Sequence, residues 1–176
     1  MSEKLGPFDL NTVVQGDCLE LMKHIPDNSV DCVITDPPYG VGIKYTKFED
    51  TKENLSNLIK RFMPELLRIS KGPVLITSGV GNMWLYPQPK WVLNWCVNAG
   101  SGSGPWGFCS WQPILAYGPD PYLKNRLGRR PDTFITAGIS DKNNHPCPKP
   151  ELVMRWIIKR GLPFENEIAF DPVSGS

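Results

Sequence analysis

Val30-Asp31-Cys32-Val33-Ile34-Thr35-Asp36-Pro37-Pro38-Tyr39-Gly40 is the stretch on which the reading of this chain turns. Its first six residues are mostly apolar, and two prolines close them off. A short apolar run bounded in this way predicts a buried strand that ends abruptly. In an open α/β sheet, ligands bind at the carboxyl ends of the strands. The stretch therefore sets an acid, two stiff backbone units and an aromatic ring at a candidate active-site edge. Asp36 precedes a proline, so its backbone is pushed into the extended region. Pro37 is stiffened twice, by its own ring and by Pro38. Its carbonyl points in a fixed direction, which is preorganisation without a side chain.

That set suits a planar ring carrying an exocyclic amino group, such as adenine or cytosine. An amino group has two N–H donors. The Asp36 carboxylate can accept one and the Pro37 carbonyl the other. The nitrogen's lone pair is delocalised into the ring and is a poor nucleophile, and two acceptors pulling on its protons favour a more pyramidal, more reactive nitrogen. Tyr39 offers a face for stacking, worth about 1–3 kcal/mol per base.

Asp36-Pro37-Pro38-Tyr39 after a hydrophobic strand resembles the catalytic motif of the amino-group DNA methyltransferases, which use S-adenosylmethionine. Three further segments carry the resemblance. Val14-Gln15-Gly16-Asp17-Cys18-Leu19 resembles the strand and acid that approach the cofactor adenine. His145-Pro146-Cys147-Pro148-Lys149-Pro150 resembles a His-Pro-x-x-Lys-Pro element near the cofactor's methionine end. Phe170-Asp171-Pro172-Val173-Ser174-Gly175-Ser176 resembles the start of the cofactor's glycine loop. The catalytic motif precedes the glycine loop, which is the permuted, β-type order. The resemblance implies a cofactor site built from Asp17, Cys18, Asp36, His145, Lys149, Pro150, Phe170, Asp171, Pro172, Ser174 and Gly175. It implies catalysis by Asp36, Pro37, Pro38 and Tyr39. The family acts in DNA methylation and restriction–modification.

The implied fold is α/β: a Rossmann-like S-adenosylmethionine-dependent methyltransferase domain with a mixed, mostly parallel, seven-stranded sheet. One antiparallel strand is expected near an edge. The family's loop usually runs Asp-Pro-Phe-x-Gly-Ser-Gly-Thr, whereas here Val173 takes the aromatic position and Ser176 is the last residue. The expectation is a domain incomplete at its C-terminus. The strand that would follow lies between residues 167–170 and 12–15, so looseness is expected over 12–24 unless the sheet rearranges. A homo-oligomer or a missing C-terminal segment could supply the strand.

Composition sets the class. At 176 residues the chain is expected to form one domain, residues 1–176. A net charge of +1 gives no global field toward nucleic acid, so DNA contacts must be local. The five cysteines are odd in number and form no C-x-x-C pair. That argues against a disulfide framework and for a reducing, cytoplasmic setting. No signal core or membrane-spanning run is present in the sequence. His145 and Cys147 invite a zinc reading, but structural zinc needs about four ligands at recognisable spacing, so no metal is expected.

Strands are predicted over 12–15, 30–35, 74–78, 91–97, 114–117 and 167–170. Helices are predicted over 18–24 and 151–160. Leu55, Leu58, Ile59, Phe62, Leu66 and Ile69 repeat with helical period across Pro64, which predicts a kinked helix or two short ones. Asp17 can cap the first helix as well as bind cofactor. Residues 98–107 are rich in glycine and serine, a mobile DNA-facing loop or an ordinary hairpin connection. Trp111 is the one tryptophan placed near a site. Lys124, Arg126, Arg129 and Arg130 fall within seven residues, inside a Gly/Pro/Asn-rich segment, 118–144, that reads as a short target-recognition region. They are the candidate phosphate contacts, with Lys44 and Lys47 in the loop after the catalytic motif. The expected function is methyl transfer to adenine N6 in DNA. Cytosine N4, an RNA or protein amide, and an inactive fragment that binds only nucleic acid are the other readings.

Overall fold

The structure, a computed structural model, describes residues 4–45, 48–97, 102–136 and 149–174. A small hairpin opens the described chain, β1 (Lys4–Leu5) pairing with β2 (Phe8–Asp9). Then come α1 (Cys18–Met22), β3 (Cys32–Thr35), α2 (Lys52–Ile69), β4 (Val74–Thr77) and β5 (Trp91–Val97). A second hairpin, β6 (Ser103–Gly104) with β7 (Gly107–Phe108), leads into β8 (Trp111–Tyr117) and α3 (Pro121–Lys124). The chain continues with β9 (Thr133–Thr136), α4 (Glu151–Gly161) and β10 (Ala169–Phe170).

Among the described residues, six strands form the main sheet, in the order β10-β3-β4-β8-β5-β9. β10, β3 and β4 run parallel, with Phe170 beside Val33 and Thr35 beside Ile76. β8 runs against both neighbours, setting Thr77 beside Ile114 and Val74 beside Tyr117. β9 again runs parallel to β5. Thr35, Thr77, Val97 and Phe170 therefore end on one edge, the carboxyl edge, and Tyr117 ends on the opposite one. The antiparallel strand sits inside the sheet, between β4 and β5, and not near a margin as expected. Its apolar run explains this, since Ile114, Leu115 and Tyr117 are all buried.

β3 is buried at all four positions, as its Cys-Val-Ile-Thr sequence demands of a strand covered on both faces. On one face, α1 and α2 pack Met22, Leu55, Ile59, Phe62 and Leu66 against Val33 and Ile76. On the other, α4 packs Val153 and Ile157 against Cys32, Ile34 and Leu75. Gly161 lets α4 touch the sheet, because a Cβ there would stand 2.5 Å from Cys32 Sγ.

α2 is one helix through Pro64, not two short ones. An interior proline costs about 3 kcal/mol. Six buried apolar residues of this helix, each worth about 1.5–3 kcal/mol, outweigh it. Arg68, near its end, donates to the carbonyls of Met22 (2.8 Å) and Ile25 (2.9 Å), tying α2 to the turn after α1. The expected strand at 12–15 is not formed. Val13 is 81% exposed and Val14 45%, and no neighbouring strand takes their backbone groups among the described residues.

Candidate active site

β3 and β4 end side by side, so Asp36 leaves the sheet beside Thr77. The Asp36 carboxylate is the hub. Tyr39 donates its phenol O–H to Oδ1 at 2.9 Å, and the Thr77 hydroxyl donates to the same oxygen. Lys149 Nζ lies 2.8 Å from Oδ2. The Lys149 side chain is only 11% exposed, against 28% for Asp36, so this pair is shielded more than a surface ion pair. Tyr39 is not an open platform: a Cβ on Gly79 would meet its ring at 2.8 Å, and Lys149 Nζ lies 4.9 Å from the ring centroid. Burial, and then the charge of Asp36, push the Tyr39 phenol well above its ordinary range, so it stays a donor. Pro37 is buried and Pro38 half-buried.

The turn is gripped at one peptide unit. Asn82 Nδ2 donates to the Tyr39 carbonyl at 2.8 Å. The N–H of the same peptide, that of Gly40, donates to Asp50 at 2.6 Å. Asp50 also accepts from Val41 N at 3.1 Å and Ile43 N at 2.9 Å. Asp50 is 4% exposed, and backbone N–H groups are its partners. Sequence reasoning missed Thr77, Asn82 and Asp50. Thr77 was legible as a strand residue, since it falls within the strand predicted over 74–78, but its pairing beside Asp36 was not. Asp50 and Asn82 carry no local signal, because their partners lie 10 and 43 residues away.

The glycine-loop segment reaches the same edge. Asp171 follows β10 and accepts from Val173 N at 3.0 Å. Burial raises its carboxyl, the Val173 N–H and the Thr35 hydroxyl pull it back, and nearby Asp36 adds to the rise. Phe170 and Val173 pack on the core, Pro172 is half-buried and Ser174 is exposed. Pro150 is buried where α4 begins. Asp17 caps α1, accepting from Leu19 N at 2.9 Å. Burial, and then the Asp17 charge, raise the Cys18 thiol and keep it protonated. His145, Gly175 and Lys47 lie outside the described residues.

The basic segment is elsewhere. Tyr117 ends β8 at the edge opposite Asp36, and a Cβ on Gly118 would stand 2.9 Å from the Gly72 carbonyl there. Asp120 then pairs with Arg160 at the end of α4, and Asp132 meets Trp91 at the start of β5. Lys124, Arg126, Arg129 and Arg130, the candidate phosphate contacts, thus flank the far edge of the sheet and not the edge that carries Asp36. The antiparallel course of β8 is the reason. Lys44 is exposed in the loop after the catalytic turn. Among the described residues, no group of three or more His, Cys, Asp or Glu could hold a metal, and no helix is long and apolar enough to cross a membrane.

No family model matches the chain. The putative methylase YubD of Escherichia coli K12 is 46% identical, over 95% of this chain and 77% of that protein. The chain belongs to the amino-group DNA methyltransferase family. The type II methyltransferase M.BamHI of Bacillus amyloliquefaciens is 31% identical over 51% of this methyltransferase chain, but only 21% of its own length is covered. M.HinfI of Haemophilus influenzae is 30% identical, with 32% of its length covered. The chain thus spans a third or less of these two relatives. Among solved structures, PvuII DNA methyltransferase (cytosine-N4-specific) superposes with a TM-score of 0.62 at 14% identity, over 89% of this chain and 71% of that one. The M1.HpyAVI–SAM complex gives 0.59 at 21% identity, over 92% and 82%. Both confirm the methyltransferase fold.

Proposed function

We propose that this chain transfers a methyl group from S-adenosylmethionine to the exocyclic amino group of adenine, N6, in DNA. The supporting observation is the Asp36 carboxylate at the carboxyl edge, its Oδ1 held by Tyr39 and Thr77 and its Oδ2, among the described residues, held by Lys149 alone. Lysine is long and flexible, so Oδ2 is the oxygen that can be released for a substrate amine.

The donor set fits the cofactor's amino-acid end. That end carries an ammonium, a carboxylate and a sulfonium. Asp171 and Asp36 are carboxylates close to one another, and Lys149 is a shielded ammonium beside them. Lys149 would bind the carboxylate and Asp171 the ammonium. When bound, the cofactor supplies an electrophilic methyl group. With Lys149 drawn to the cofactor, Asp36 Oδ2 accepts one amino proton and the Pro37 carbonyl the other. The target base must leave the duplex stack, at a cost of a few kcal/mol. Tyr39 and Thr77 keep the carboxylate oriented, so the rate comes from proximity and fixed dipoles. Asp36 orients the amine, and the proton leaves to water once the nitrogen becomes acidic during attack.

Calorimetric titration with S-adenosylmethionine should show saturable binding. Duplex DNA incubated with the methyl-labelled cofactor should then yield N6-methyladenine on digestion. N4-methylcytosine would overturn the choice of adenine and leave the chemistry intact. Label in RNA or protein alone would overturn the DNA reading, and absence of cofactor binding would overturn the whole.

A further inference from the structure

The far edge of the sheet carries a charge pattern that the catalytic edge does not use. Residues 122–130 hold four of the chain's 19 basic residues and none of its 18 acids, so the remainder of a molecule with net charge +1 is net acidic. Lys124, Arg126, Arg129 and Arg130 are all exposed. None forms an ion pair among the described residues. The neighbouring acids are already engaged, Asp120 by Arg160 at 2.9 Å and Asp132 by the Trp91 indole N–H at 3.0 Å. Arg130 is propped over the Tyr122 ring at 4.8 Å, and the Tyr122 hydroxyl is anchored on the Lys159 carbonyl at 2.7 Å. The loop is therefore pinned to α4 while its cations face solvent.

We propose that this loop is a second nucleic-acid surface, which grips the phosphate backbone of a DNA segment other than the one presented to Asp36. The proposal rests on the DNA reading above. β8 runs for seven residues between the two edges, about 20 Å at 3.3 Å per residue. A duplex seated at the carboxyl edge leaves these cations free. Four cations on one short loop match a repeating phosphate and carry no base-specific pattern. The surface therefore binds DNA without regard to sequence and strongly depends on salt.

The test uses a 12-bp duplex, about 40 Å long, and counts how many such duplexes one chain holds when DNA is in excess. At low salt, sedimentation should show two duplexes per wild-type chain. The variant Lys124→Ser/Arg126→Ser/Arg129→Ser/Arg130→Ser should bind one. The second site should weaken steeply with salt, with a log–log slope of roughly −3 to −4. Cofactor affinity and methyl transfer to the short duplex should be unchanged in the variant, since all four residues lie outside the catalytic machinery. One duplex per wild-type chain would overturn the proposal, as would equal loss of transfer and binding in the variant. Poly-glutamate displacing the second duplex as well as DNA does would point to an acidic protein partner and would also overturn it. If wild-type protein methylates DNA but binds one duplex, this proposal alone fails; if it neither methylates nor binds DNA, both readings fail.

Discussion

Asp36 shows how a single residue carries the chemistry here. Its two oxygens are unequal: Oδ1 takes two hydroxyls from the fixed turn and strand, and Oδ2 takes a lysine. Asp36→Asn keeps the shape but removes the charge and makes one of these atoms a donor. Transfer should fall by about 10²-fold or more, while circular dichroism and cofactor affinity change little; near-normal turnover would reject the assigned role. Asp171 makes the opposite trade. Burial raises its carboxyl, with Asp36 adding to the rise, so losing its proton costs more in the folded chain than in the unfolded one. A carboxyl raised on folding lends stability below its unfolded value, near pH 3.9, and that stability is lost as pH rises through the folded value. Asp171→Asn should therefore raise the melting temperature at pH 7, with the gain shrinking toward zero near pH 3, and it should weaken cofactor binding. A lower melting temperature at pH 7 would show that the Val173 and Thr35 contacts outweigh the burial.

Elements hold these residues at the edge. The loop from Gly40 to α2 is gripped by Asp50 and Asn82, which seize opposite ends of one peptide unit directly after Tyr39. Gly40 takes a φ of +69°, a conformation other residues reach at a cost. Asp50→Asn leaves at least one part-buried N–H of Gly40, Val41 or Ile43 without its acceptor, a loss of about 1 kcal/mol. Asn82→Leu frees the Tyr39 carbonyl. Each should lower kcat by about tenfold or more while the dissociation constant for S-adenosylhomocysteine stays within twofold; parallel loss of both would mark a merely structural role. The elements also show what was legible in the sequence. β3, β4, β5 and α4 were readable because their apolar runs or periodicity are local and end at proline or glycine. α2 was readable in period but not in continuity, since a proline's cost is local and the packing that outweighs it is not. Residues 12–15 were misread because Thr-Val-Val-Gln has β propensity, but a strand needs a neighbour. The Asp36–Tyr39 turn was legible as a site; its occupation by Lys149, 113 residues away, was not.

At the scale of the whole molecule, strand direction decides what each edge can do. One antiparallel strand, β8, carries the chain from the carboxyl edge to the far edge and takes the basic loop with it. No local feature of Lys124 or Arg130 reveals this, because it depends on the pairing of Val74 with Tyr117. The same sheet order sets a gradient of stability. β3, β4 and β8 are flanked on both sides, and Val33, Ile76 and Ile114 are essentially inaccessible. The 12–15 backbone is paired with nothing among the described residues, and its valines face water. Opening free energies range from near zero in such segments to the global value in core strands. Native-state hydrogen exchange should therefore find the amides of residues 13–15 exchanging within seconds while those of 33–35, 75–77 and 114–116 require global unfolding. Adding S-adenosylmethionine should slow the 13–15 amides if Asp17 and its approach segment close on the cofactor, and should leave the core strands ranked as before. Protection of 13–15 in the free monomer, equal to that of β3, would mean that this segment joins the sheet in solution and that the edge next to β10 is built differently.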